Sequence, residues 1–134
     1  MRLGKVFLLR KRGLDLDYKT YEIIIAPEVL DKVSEIAEYI SSNFSETSAK
    51  KRVKDLFEGF ETLKTFPQVG FDADERVGFR IDPKHFIRGV VILGKYIALY
   101  YIDEERARVN IAYLFSTSED YINALKREDS LGEE

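Results

Sequence analysis

Between Gly89 and Phe115 the chain reads GVVILGKYIALYYIDEERARVNIAYLF, three dense apolar runs separated by two short polar breaks. Gly94-Lys95 is a break of the Gly-X kind that suits a tight hairpin turn, and Asp103-Glu104-Glu105-Arg106 suits a longer hairpin loop. The runs are rich in Val, Ile and Tyr, which fit a pleated, buried surface. The pattern predicts an antiparallel three-stranded meander, with Leu93, Ile97, Leu99 and Ile111 among its core residues.

What precedes the meander has a different period. Tyr21 to Ile25 reads as one strand, and Pro27 ends it because proline is tolerated at the first position of a helix. Val29, Leu30, Val33, Ile36, Ala37, Ile40 and Phe44 recur at helical spacing and give one apolar stripe. Ala49, Val53, Leu56, Phe57, Phe60 and Leu63 give a second. Asn43 or Ser45 can cap this second helix, and Glu46 completes a capping box with Asn43. Pro67 and Gly70 stop it. The short connection predicts an antiparallel helical hairpin packed on the sheet, hence an α+β fold. Residues 71–87 read as a loop.

Composition bounds the rest. The chain has 134 residues, 45% of them hydrophobic and 13% aromatic, enough for one core and one domain. No apolar run approaches the roughly 20 residues of a membrane span, so no membrane partner is expected. Val6 to Leu9 is too short for a signal-peptide apolar region. With no cysteine there is no disulfide framework and no thiolate metal site, which points to a cytoplasmic protein. His85 is the only histidine, so no His-rich metal site exists and no cofactor is expected. The net charge of -3 spans a basic head and an acidic tail, so any nucleic-acid role must rest on a local patch. Carboxylate pairs such as Glu58 with Glu61 read as solvated positions, and no phosphate-cradling glycine loop occurs.

A strand YEIIIAPE, a helix ending EIAEYISSNF, a helix ending LKTFPQVG, strands GKYIALYYID and VNIAYLF, and a terminal EDYINAL follow in order. This succession resembles the RelE/ParE superfamily of toxin–antitoxin toxins from about Tyr18 to Leu125. Its most specific pieces are FPQVG, KYIALYYID and LFSTSEDY. The resemblance divides the chain into an N-terminal extension at 1–17, a toxin domain at 18–125 and an acidic tail at 126–134. Val6 to Leu9 could add a strand to the sheet, or the segment could be a disordered basic arm. The resemblance also implies an antitoxin partner and one of two activities. Some members cleave mRNA on ribosomes; others poison DNA gyrase.

RNA cleavage through the 2′-hydroxyl needs a base, cationic donors on the phosphate and an acid for the leaving oxygen. Nuclease members carry an Arg after the aromatic of the middle strand, where this chain has Ile97. They carry another Arg or His after the last strand, where it has Ser116, Thr117 and Ser118. The groups that remain are Arg80, Lys84, His85 and Arg88, Lys95 at the turn, and Tyr121, the match to the family's terminal aromatic. Arg80, Lys84, His85, Arg88 and Tyr121 are the candidate catalytic residues. Lys50, Lys51, Arg52 and Lys54 lie opposite the apolar stripe of the second helix and are candidates for steering an acidic antitoxin. Two readings follow: a RelE-like ribosome-dependent mRNA endonuclease, or a ParE-like protein without chemistry that binds gyrase or only its antitoxin.

Overall fold

The computed structural model describes residues 20–132, with side chains to 127. The expected additional strand at Val6 to Leu9, with the rest of the extension at 1–17, lies outside the described residues. Strand β1 (Glu22–Ile25) is followed by helix α1 (Pro27–Asn43), which has Pro27 at its first position. Helix α2 (Glu46–Glu61) starts at Ser45, whose hydroxyl accepts a 3.0 Å hydrogen bond from the Ser48 N–H. That bond satisfies one orphan donor of the first turn. Asn43 does not form the expected capping box; its amide turns back and donates to the Tyr39 carbonyl at 2.8 Å.

Two 3₁₀ turns, Thr62–Lys64 and Pro67–Val69, lead into the segment expected to be a loop. It instead holds a two-residue strand β2 (Phe71–Asp72) and a five-residue helix α3 (Ala73–Val77). Asp72 caps α3 through the Glu75 N–H, and Gly78, at φ 90°, ends it in the left-handed conformation. The meander follows as β3 (Arg88–Ile92), β4 (Tyr96–Asp103) and β5 (Arg108–Ser116), then α4 (Tyr121–Gly132). Helix α4 runs across the boundary that the acidic tail was expected to mark at residue 126.

The sheet order is β1-β5-β4-β3-β2. The β2/β3, β3/β4 and β4/β5 pairs are antiparallel, whereas β1 runs parallel to β5 with Glu22 beside Arg108 and Ile25 beside Ile111. The helical hairpin returns the chain to the end where β1 begins, with the Tyr21 N–H on the Lys64 carbonyl at 3.1 Å, and the meander that follows sets β5 beside β1.

Both sheet faces are covered. Ile92, Tyr96, Ala98, Tyr100, Val109, Ile111 and Leu114 join Val29, Val33, Leu56, Phe60 and Leu63 beneath the hairpin. Ile97 and Leu99 are buried too, but on the opposite face with Ala73, Ile87 and Leu125. A two-faced strand has no solvent side, which is why the run from Tyr96 to Tyr100 shows no polar alternation. Leu93 departs from expectation and is 46% exposed. It sits in the turn rather than the strand, with Leu93 at φ 58° and Gly94 at φ 65°, and the Lys95 N–H closes onto the Ile92 carbonyl at 3.1 Å. Two successive left-handed residues make the hairpin turn, and leucine bears a cost there of about 1–2 kcal/mol.

Tyr100 explains FPQVG. Its fully buried hydroxyl donates to the Pro67 carbonyl at 2.6 Å and accepts from the Gly70 N–H at 2.9 Å. A Cβ at Gly70 would run into that hydroxyl and the Gly89 carbonyl, so only glycine lets the turn close on the sheet.

Candidate functional site

The segment before β3, together with the first residue of that strand, carries four of the five candidate catalytic residues. Arg80 donates to the Asp82 carbonyl at 2.9 Å and the Pro83 carbonyl at 3.2 Å, and lies 3.7 Å from the Asp74 carboxylate. Its fork braces its own loop. The backbone N–H of Lys84 and the ring of His85 both meet the Asp82 carboxylate, at 2.8 and 3.1 Å. Burial pushes Asp82 up, but the Lys84 N–H and the His85 ring outweigh it and hold the carboxyl below its ordinary range. His85 also stacks on Tyr101, with ring centroids 3.8 Å apart.

Arg88 points elsewhere. It pairs across the ladder with Tyr100, so its side chain leaves the sheet on the hairpin side. There its guanidinium donates to the Gln68 and Gly70 carbonyls at 3.1 Å each and lies over the Phe86 ring at 5.0 Å. His85 and Tyr101 belong to the opposite face, as does Tyr121, whose ring tilts against Phe115 at 5.7 Å. Ile97, the cross-strand partner of Phe115, lies four residues from Tyr101 along β4. Strand rise over that interval is about 13 Å, too far for His85 and Tyr121 to serve one phosphate from these positions. The fold thus brings Arg80, Lys84 and His85 together around Asp82 and leaves Arg88 and Tyr121 apart from them.

The departures from the nuclease pattern are filled structurally. Ile97 is a core residue. The Ser116 N–H donates to Glu119 at 2.7 Å, Ser116 and Ser118 share a 2.8 Å hydroxyl contact, and Glu119 pairs with Lys32 of α1 at 2.9 Å. Among the described residues no group of three His, Asp or Glu could hold a metal ion.

On α2 the basic candidates are partly spent. Lys51 pairs with Asp55 at 2.8 Å, a contact that raises the lysine's pKa, and Lys54 lies 3.6 Å from Glu58. Exposed i,i+4 pairs of this kind add little to stability, because solvent screens them. Lys50 is exposed and makes no ion pair among the described residues. Arg52 turns inward and hydrogen-bonds the Tyr96 phenol.

Beside Arg52 opens a cleft of about 660 Å³ between the turn end of the helical hairpin, the start of β4 and the end of β5. Ile36, Ile40 and Tyr96 give it apolar surface, and Tyr39, Phe44 and Lys95 are among its other lining residues. Sequence reading missed it because its wall is assembled from α1, α2 and a turn that are distant along the chain. The one local signal was Tyr39, an aromatic outside the apolar stripe of α1, beside Phe44, which ends that stripe just past the helix and is 73% exposed. Among the described residues no helix is long and apolar enough to cross a membrane.

The comparisons agree with this architecture. No curated protein matches the sequence. The solved structure of a chromosomal ParDE toxin–antitoxin system from P. aeruginosa aligns with a TM-score of 0.57 at 12% identity. The match covers 73% of this chain and 97% of that one, which establishes a shared fold. The family model described as the ParE toxin of the type II toxin–antitoxin system parDE matches residues 23–121. That span runs from β1 through the meander to the start of α4, and on it the chain belongs to the ParE toxin family.

Proposed function

We propose that this protein is a ParE-type toxin that stops growth by binding DNA gyrase in the cytoplasm, not by cutting mRNA, and that a cognate antitoxin holds it silent. The supporting observation is the state of the cationic groups. A phosphoryl-transfer site needs donors aimed at the substrate and free to meet it. Here Arg80 and Arg88 are engaged with carbonyls of their own backbone, and His85 is engaged with Asp82 and Tyr101. Ile97 and Ser118 stand where nuclease members carry basic residues, so neither position supplies a replacement. Ribosome and mRNA are therefore not the favoured partners.

Antitoxin recognition follows from charge. Lys50, and to a smaller degree Lys51 and Lys54, offer a basic edge that would draw an acidic segment toward α2 before contact.

Purified toxin should inhibit gyrase supercoiling and leave ribosome-bound mRNA uncut, and the antitoxin should relieve the gyrase inhibition and the growth arrest. Arg88→Ala should remain toxic. Ribosome-dependent cleavage that disappears in Arg88→Ala would instead assign the chain to the nucleases, with Arg80, Lys84, His85, Arg88 and Tyr121 as its site.

A further inference from the structure

We infer that Arg52 and the cleft beside it seat an acidic segment of the antitoxin. That segment sets one apolar side chain on Ile36, Ile40 and Tyr96 and a carboxylate against the guanidinium. The inference rests on the toxin–antitoxin reading above and adds to it the place and chemistry of docking.

The charge distribution on α2 carries the argument. Glu46, Asp55, Glu58 and Glu61 match Lys50, Lys51, Arg52 and Lys54 in number, so the helix as a whole is neutral. Lys51 and Lys54 are answered within the helix. Arg52 is half-buried and makes no ion pair among the described residues; its partner is a neutral phenol. One hydrogen bond leaves most of its five N–H donors for a ligand. A guanidinium partly withdrawn from water and not neutralised is an arrangement that a carboxylate would relieve. Its planar fork matches the two oxygens of that group better than a lysine could.

The surroundings reinforce this polarity. Lys95, across the cleft, likewise makes no ion pair among the described residues, while Lys32 is already met by Glu119 at 2.9 Å. The only carboxylate among the cleft's lining residues is Glu35. A basic or neutral peptide would bury Arg52 without a counter-charge, so charge complementarity selects an acidic one. At the rim Tyr39 is 62% and Phe44 73% exposed, their rings edge to face at 6.5 Å. Large aromatics so placed beside an apolar floor are suited to being covered by an amphipathic partner.

The test measures antitoxin binding kinetics for the full-length toxin and three variants whose folding is checked by thermal melting. Arg52→Glu should weaken binding roughly 30-fold or more, mainly through faster dissociation. Arg106→Glu makes the same change in net charge in the β4–β5 loop, at the far end of those strands from the cleft, and should alter affinity by less than about threefold. Tyr39→Ser, at an exposed position that leaves the core intact, should weaken binding roughly tenfold. An antitoxin carboxylate changed to arginine should restore binding to Arg52→Glu. Unchanged affinity in a folded Arg52→Glu and in Tyr39→Ser would overturn the site while leaving the toxin–antitoxin reading intact. Equal losses in Arg52→Glu and Arg106→Glu would overturn it in favour of diffuse charge. Intact antitoxin binding with lost gyrase inhibition would give the cleft to the target instead. Failure of the wild type to bind its antitoxin would sink the underlying reading.

Discussion

On the hairpin face of the sheet, two long helices bury Phe60, Leu56, Leu63 and Tyr100 almost completely, and the apolar contacts are continuous from α1 to β4. On the other face the five-residue α3, the segment before β3 and the start of α4 cover only Ile87, Ile97, Leu99, Ala73 and Leu125. Around that patch Tyr101, Tyr113, Phe115 and Tyr121 stay half-exposed, held by ring stacking and polar contacts. The first face is closed by helical periodicity and the second by individual contacts. Closed packing resists the loss of a side chain poorly, because nothing can move into the hole; open packing can relax.

The sharpest way to break this contrast is truncation on each face. Phe60→Ala should cost about 3–5 kcal/mol, and Leu99→Ala about 2–3 kcal/mol, the low end of its range, since the half-exposed rings nearby can shift into the gap. Equal losses in denaturant unfolding would mean that the second face is as rigid as the first.

Tyr100→Phe comes next. It keeps the ring but strands the Gly70 N–H and the Pro67 carbonyl beneath the hairpin, with an expected loss of about 1–3 kcal/mol. The same residue gives a pH signature. Burial raises the Tyr100 pKa, with the Gly70 N–H and Arg88 opposing. The folded protein therefore holds this proton more tightly than the unfolded chain. Stability is full below the unfolded phenol's value of about 10 and falls as pH rises through the folded value. In Tyr100→Phe this part of the alkaline decline should be absent, as base titrations followed by circular dichroism would show.

The smallest effect is expected at the open edge. Tyr121→Ala removes a half-exposed ring resting on Phe115 and should cost about 1 kcal/mol or less. A larger loss would show that α4 depends on that ring to stay docked.

The same contrast sorts what was legible in the sequence. Strands and helices of the hairpin face announce themselves through repeated spacing, down to Pro27 and the Ser45 cap. Helix α3 was hidden because five residues cannot display a period, and its signals, Asp72 and Gly78, are equally turn signals. The facing of Ile97 and Leu99 was lost because a strand buried on both sides carries no alternation. A bulge at Leu99/Tyr100 also breaks the phase of β5, so that Ile111 and Leu114, three apart, both face the hairpin. The candidate site was the least legible part. Arg80, Lys84, His85 and Arg88 look like one basic cluster in one dimension, but the chain turns into a strand between His85 and Arg88 and sends the two to opposite faces. Arg52 had been grouped with solvated lysines because helical position alone does not tell which cation turns inward.

The parallel pairing of β1 with β5 has a consequence for how the protein comes into being. Glu22 and Arg108 are separated by 86 residues, so the first strand has no partner until nearly the whole domain has been made. Closing so long a loop is entropically costly, and topologies dominated by such contacts fold toward the slow end of the scale. During synthesis the hairpin emerges with its apolar stripe bare, and the sheet that buries it follows only later. An antitoxin already present in the cell therefore meets a chain whose sheet is not yet assembled. Neutralisation can then precede the first moment at which the toxin could act.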